Sequence, residues 1–233
     1  MLNNLIKEVE SLRNMDKAKI FQKFFRTGMG DYGEGDIFLG LSVPECRKIA
    51  NKYDIQISEI EQLIKSKFHE ERLIALFELL KLYQQNKEEK FINFYLNNTK
   101  FINNWDLVDL SCYKLLGDYL LNFKNCDYKI LLNLSDSKYL WERRISIVTT
   151  MSFIKNNCFE PTLVISRKLI KDDHDLIKKA NGWMLREVGK KDKKILEKFL
   201  KENIANISNV TLNYAMEKFE QNEKNYYRSL RNK

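Results

Sequence analysis

The chain has 233 residues, 44% of them hydrophobic, and 40 Lys and Arg against 32 Asp and Glu leave a formal charge of +8. This suffices for a sizeable core in one elongated domain over 1–233. No apolar run approaches bilayer length and the first residues lack the apolar core of a secretory signal, so a cytoplasmic protein without a membrane anchor is expected.

Apolar residues recur at helical spacing along nearly the whole chain, and strand signals are almost absent. The pattern predicts helices over 2–13, 16–27, 43–53, 58–67, 69–85, 87–97, 104–121, 125–134, 138–156, 161–171, 173–190, 192–203 and 209–220. Pro44 and Pro161, the only two prolines, fit first helical turns. Asp16, Ser58 and Asp192 are expected N-caps and Gly189 a terminator. Between the second and third helices, five of the eight glycines (Gly28, Gly30, Gly33, Gly35, Gly40) fall in one stretch. It is not a phosphate-binding loop, because no Gly-Lys-Ser/Thr follows and Asp31, Glu34 and Asp36 would repel phosphate. It reads instead as a loop folded over the end of the helical array, with Phe38 and Leu39 as plugs and Tyr32 within reach of a groove. The polar, basic segment 220–233 is expected as a frayed tail or a weakly packed last helix.

The helices repeat. Ser66-Lys67-Phe68 and the helix after it match Ser137-Lys138-Tyr139 and its helix, and steps of 36, 35 and 35 residues carry Leu73 to Asp109, Arg144 and Lys179. Four residues earlier stand His69, Trp105, Leu140 and Asp175, and four residues later Phe77, Tyr113, Val148 and Trp183, on the same side of each helix. The fold class is thus all-α, a HEAT-like helical-repeat solenoid (an α-α superhelix), in which Trp105, Asp109, Arg144 and Trp183 line one surface, commonly the concave and here basic groove.

An excess of positive charge without membrane-anchoring features favours nucleic acid, through phosphate neutralisation. The pairs Arg143 and Arg144, Lys178 and Lys179, and Lys190 and Lys191 are candidate phosphate contacts. Lysine-rich composition also arises from nucleotide bias in a genome, and a charge run is usually a solvated helix face. The four cysteines (Cys46, Cys112, Cys126, Cys158) lack paired metal-ligand spacing and are expected as free thiols; neither metal nor cofactor is called for.

Four segments together resemble the AlkD-type DNA alkylation repair glycosylases. They are Tyr32-Gly33-Glu34-Gly35-Asp36 with Phe38-Leu39-Gly40 and Val43-Pro44; Asn103-Asn104-Trp105-Asp106-Leu107-Val108-Asp109; Leu140-Trp141-Glu142-Arg143-Arg144-Ile145; and Lys179-Ala180-Asn181-Gly182-Trp183-Met184-Leu185-Arg186-Glu187-Val188-Gly189. The resemblance spans nearly the whole chain. It implies that Asp109 is the catalytic carboxylate, that Trp105 and Trp183 contact the deoxyribose and backbone of the damaged nucleotide, and that Arg144 holds phosphate near the lesion. The family also places a tyrosine near the lesion. Tyr32 is the best-placed counterpart, in a loop whose length departs from the family's form. The implied partner is duplex DNA with alkylated bases, and the damaged base is not drawn into a tight pocket. A monomer is expected separately, because a solenoid with polar ends usually stays single.

The chemistry is coherent. An N3- or N7-alkylated purine is already cationic, so it leaves without a general acid and one carboxylate suffices. Asp109 would stabilise the oxocarbenium-like sugar and position water, and the two indoles offer electron-rich faces to positive charge. Other readings stand beside this one. Any single tryptophan on a repeat helix, Trp141 included, also reads as core. Asp109 also reads as a first-turn carboxylate paired with Arg144. His69 and His174 read as surface or satisfied histidines. A helical-repeat scaffold that binds bent or branched DNA, or a protein, without chemistry is the alternative function.

Overall fold

The computed structural model describes residues 1–231, so Asn232 and Lys233 of the expected tail lie outside the described residues. The chain is all-helical, with one isolated bridge between Ile37 and Phe68 and no strand among the described residues. The helices are α1 (Leu2–Ser11), α2 (Met15–Phe24), α3 (Val43–Lys52), α4 (Ile57–Ile64), α5 (His69–Asn86), α6 (Glu89–Asn97), α7 (Trp105–Cys112), α8 (Asp118–Phe123), α9 (Lys129–Ser135), α10 (Leu140–Thr149), α11 (Met151–Lys155), α12 (Glu160–Lys168), α13 (Asp175–Lys191), α14 (Lys193–Asn203), α15 (Asn209–Ala215) and α16 (Gln221–Leu230). They fall into two compact units, Met1–Ser111 and Cys112–Lys233. No helix among the described residues is long and apolar enough to cross a membrane.

Several boundaries differ from the sequence reading for local reasons. Asp16 and Ser58 lie inside the first turns of their helices; the caps are Asn14, whose side chain accepts the Lys17 N–H at 3.0 Å, and Gln56, in a capping box with Glu59. Asp192 does cap α14, accepting the Ile195 N–H at 3.1 Å. Gly189 does not terminate α13, which runs on to Lys191. An added Cβ there would lie 2.4 Å from a methyl of Leu196, so the glycine serves close packing. The helix expected over 138–156 breaks at Thr150 into α10 and α11, and a π-helical turn at Tyr113–Gly117 links α7 to α8. In the second unit the Ser152 hydroxyl donates to the Tyr113 carbonyl of that turn at 2.5 Å. The expected tail folds from Gln221 to Leu230, with Tyr227 buried against Phe219.

In the first unit α5 carries the centre of the fold. Its run Leu73-Ile74-Ala75-Leu76-Phe77 is buried on all sides, and α3 and α4 pack on it. Its first turn is polar yet equally buried, because His69, Glu70 and Arg72 bind the glycine-rich loop and Glu71 accepts from the Ser66 hydroxyl. The Glu70 carboxylate accepts the N–H groups of Leu39, Gly40 and Leu41 at 2.9, 2.8 and 3.2 Å. Phe38 and Leu39 are buried plugs, as the sequence predicts, and Gly40 (φ +92°) passes so close to Asn14 that a Cβ would strike its carbonyl. His69 donates from Nδ1 to Asp36 at 2.9 Å and from Nε2 to Asp106 at 2.8 Å. Arg72 also bonds Asp36, and reaches Asn103 Oδ1 at 3.1 Å and the Ser66 carbonyl at 2.8 Å. The His69 ring stacks on Phe38 with centroids 4.3 Å apart. Burial alone would push this imidazole down, but the charge and hydrogen bond of Asp106, joined by Asp36, outweigh it and hold the group at about 9. Burial likewise pushes Asp36 up, and His69 and Arg72 more than reverse it, so its carboxyl lies below the ordinary range.

In the second unit α13 packs against α15 through Gly182, where an added Cβ would lie 2.5 Å from Tyr214 Cβ and 2.6 Å from the Thr211 carbonyl oxygen. The neighbouring Asn181, fully buried, donates to the Ser166 carbonyl at 3.0 Å and ties α13 to α12.

Two outcomes are expected. A group raised from 6.5 to about 9 contributes stability in full below pH 6.5 and loses it as pH rises through 9. Calorimetry should therefore show the thermal midpoint falling by about 5–10 °C between pH 7 and pH 10 in the wild type, and by clearly less in His69→Gln. Gly182→Ala should cost about 1–3 kcal/mol in urea unfolding, because the new methyl meets Tyr214 Cβ and the Thr211 backbone, neither of them the flexible tip of a side chain.

Candidate functional site

The start of α7 is fixed before its exposed face is presented. Asn104, fully buried, accepts the Trp105 N–H at 2.9 Å, and Asp106 accepts the Leu107 N–H at 2.8 Å with one oxygen while the other faces His69. Asp106, Leu107 and Val108 are buried, whereas Trp105 and Asp109, one helical turn apart, are both half-buried. The two therefore share the open side of α7. Trp105 lies against Phe25 with centroids 5.1 Å apart and planes at 21°, and Phe24 meets it edge-on at 5.8 Å. An indole braced on one face by a buried phenyl ring keeps its orientation without a ligand. Tyr32 is half-buried in the glycine-rich loop, with the Arg26 guanidinium 5.9 Å from its ring centre. At the adjacent Gly33 a Cβ would lie 2.7 Å from the Phe25 carbonyl oxygen and 3.0 Å from Asn104 Nδ2. The close approach for which the glycines are needed is thus to the chain itself.

The remaining sequence candidates belong to the second unit. Arg144 is buried at 6% exposure on α10 and donates to the Leu176 carbonyl at 2.7 Å, which brings it to the first turn of α13. Lys179, one turn into α13, pairs with Asp175 at 2.6 Å, a half-exposed i,i+4 pair of small energetic weight. Trp183 is half-buried on the same helix, one turn beyond Lys179. Trp141 is core, at 2% exposure.

Arg143 and Lys178 turn out to be parts of a device shared by the repeats. The Ser66, Ser137 and Asp172 side chains each accept the N–H two residues on, at 3.0, 3.0 and 2.9 Å. The basic residue six positions further along each copy then returns to that turn. Arg72 reaches the Ser66 carbonyl, Arg143 those of Ser137 and Lys138 at 3.0 and 3.1 Å, and Lys178 that of Asp173 at 2.9 Å. Arg143 is further held by Asp172 at 2.7 Å. The copy bearing Trp105 and Asp109 departs from the pattern, with Ile102 and Val108 at the corresponding positions.

The residues that the sequence reading left without a role are His69, Asp36 and Asp106. His69 falls in the same repeat register as Trp105, which marked it, but partners 33 and 37 residues away leave no local signature. Its two ring nitrogens serve carboxylates on opposite sides, and among the described residues no group of three His, Cys, Asp or Glu is arranged to hold a metal ion. His174 caps α13, accepting the Leu176 N–H at 3.2 Å; burial is the main cause that lowers its titration range.

A family profile described as DNA alkylation repair enzyme matches residues 5–219. No curated protein sequence matches. Among solved structures, a predicted DNA alkylation repair enzyme from Enterococcus faecalis superposes with a TM-score of 0.72 at 16% identity, over 90% of this chain and 97% of that one. AlkD2 from Streptococcus mutans gives 0.53 at 16% identity, over 100% and 96%. The smu.31 protein from Streptococcus mutans UA159 gives 0.51 at 16% identity, over 100% and 98%. The structural likeness, at such identities, is one of fold; the profile, covering nearly the whole length, establishes that this chain belongs to the DNA alkylation repair enzyme family.

Proposed function

We propose that the protein is a monofunctional DNA glycosylase that hydrolyses the N-glycosidic bond of cationic N3- or N7-alkylated purines in duplex DNA. The observation that carries this reading is the pairing of Trp105 and Asp109 on the half-open face of α7, one turn apart, in a helix start tied down on its buried side. Asp109 stabilises the positive charge that develops on the sugar as the bond to the base breaks, and orients the water whose oxygen bonds C1′ and whose proton passes to the carboxylate and then to solvent. The alkylated base departs with its electron pair as a neutral purine and needs no proton from the enzyme. The Trp105 indole, braced by Phe25, turns an electron-rich face to the same charge. Trp183 contacts the deoxyribose and backbone, and Arg144 and Lys179 neutralise phosphate. Lys179 can exchange its half-exposed Asp175 partner for phosphate at little cost. Arg143 and Lys178, which brace the starts of their own helices, are assigned phosphate contact only in addition to that task. Tyr32 is the aromatic residue of the loop nearest the lesion. No metal or cofactor enters this scheme, and the protein acts as a cytoplasmic monomer.

The decisive assay follows base release from duplex DNA containing a single 7-methylguanine. Wild-type protein is expected to release the base, and Asp109→Asn to lower the rate by about 10²–10³-fold while the affinity for the same duplex stays within a few-fold. Full activity in Asp109→Asn, or no release by the wild type, would sink the proposal.

A further inference from the structure

The copy of the repeat that begins at α7 lacks the tie used by the other three, since Ile102 has no side-chain acceptor and Val108 no cation to return to the preceding turn. The attachment comes from elsewhere. His69, on α5, bonds Asp106 in the first turn of α7 on one side and Asp36 in the glycine-rich loop on the other. Both partners offer acceptors: Asp106 already receives the Leu107 N–H, and Asp36 receives Arg72. A neutral imidazole carries one N–H and can serve one carboxylate, leaving lone pair against lone pair at the other; the protonated ring serves both. The charged and titratable groups facing this cluster are Asp36 from the loop, Arg72 and Glu70 from α5, Asp106 from α7, and the Cys46 thiol from α3, which burial followed by Glu70 and Asp106 pushes well above its ordinary range. Phe25 and Phe38 cover the ring on its apolar sides. Phe25 in turn carries Trp105, so the imidazole, the phenyl ring and the indole form one packed series.

We propose that His69 is a positioning residue, whose protonated ring clamps the loop carrying Tyr32 to the first turn of α7 and thereby sets the orientation of Trp105. Its importance for catalysis rests on the reading of Trp105 as a contact to the damaged nucleotide; the clamp itself is testable without that reading. The chain has three tryptophans, so full-length protein labelled with 5-fluorotryptophan gives three ¹⁹F resonances, assignable with Trp→Phe variants. The Trp105 resonance is expected to titrate between pH 7 and pH 10 with a midpoint near 9. In His69→Gln it is displaced at pH 7 and no longer titrates. Asp106→Asn, whose amide can donate to a neutral ring, moves the midpoint down by at least about one pH unit. The Trp141 resonance stays in place throughout, which separates a local effect from loosening of the whole protein. In base-release assays, His69→Gln lowers kcat about tenfold while KM stays within about twofold.

A Trp105 resonance indifferent to pH and to His69→Gln overturns the proposal, as does one that moves only in step with Trp141. The two readings separate cleanly. Absence of base release in the wild type, with the Trp105 titration as described, removes the glycosylase and leaves the clamp; base release with an unresponsive Trp105 does the reverse.

Discussion

Two carboxylates, Asp36 and Asp106, face the two nitrogens of one buried imidazole, and the arrangement of the first unit depends on that ring being charged. Taking such groups out of water is costly, and a cluster of this kind adds little net stability even when every hydrogen bond is made. What it supplies is alignment. Removing the proton or any one member leaves a buried charge or lone pair without compensation, so the loop, the start of α5 and the start of α7 are held to one mutual geometry. The aromatic series from Phe38 through His69 and Phe25 to Trp105 converts that geometry into the orientation of an indole at the open face of α7.

The repeat architecture explains why the clamp is needed. Three copies secure the start of the helix with a side-chain acceptor and a returning cation, which are local and inexpensive in chain entropy. In the copy with Trp105 and Asp109 those positions are apolar, and buried Asn104 and Asp106 replace them, the second anchored from another helix. A carboxylate proposed to stabilise a sugar cation is thereby carried by a helix whose own buried side is tied down, while Trp105 and Asp109 stand half-buried on its other side. Preorganisation of this kind is what electrostatic catalysis requires, because the stabilising group must not reorganise as charge develops.

The second unit uses its basic residues in two ways. Arg143 and Lys178 hold their own helix starts, and Arg144 bonds a carbonyl in the first turn of α13. A count of cations therefore overstates the charge devoted to a polyanion; several of these side chains are structural elements that also lend positive potential to their surroundings. Gly182 lets α13 lie directly on α15, which places Trp183, the next residue, at a half-exposed position of that helix.

The helical class, the repeat spacing and the family were legible in the amino-acid order, because apolar period and motif separation are properties of the chain before it folds. So was the sharing of one helix face by Trp105 and Asp109, which four-residue spacing dictates. Asp192 caps α14 as its position suggests, but the caps of α2 and α4 stand two residues before Asp16 and Ser58, since a cap depends on where the backbone first leaves the helical region, and one polar residue near a start looks like another. The roles of His69, Asp36, Asp106 and Arg72 were decided only by the tertiary structure. Their partners lie some thirty or more residues apart, and a histidine becomes a doubly bonded pin, charged at neutral pH, only when burial removes water and two distant carboxylates arrive on opposite sides of its ring.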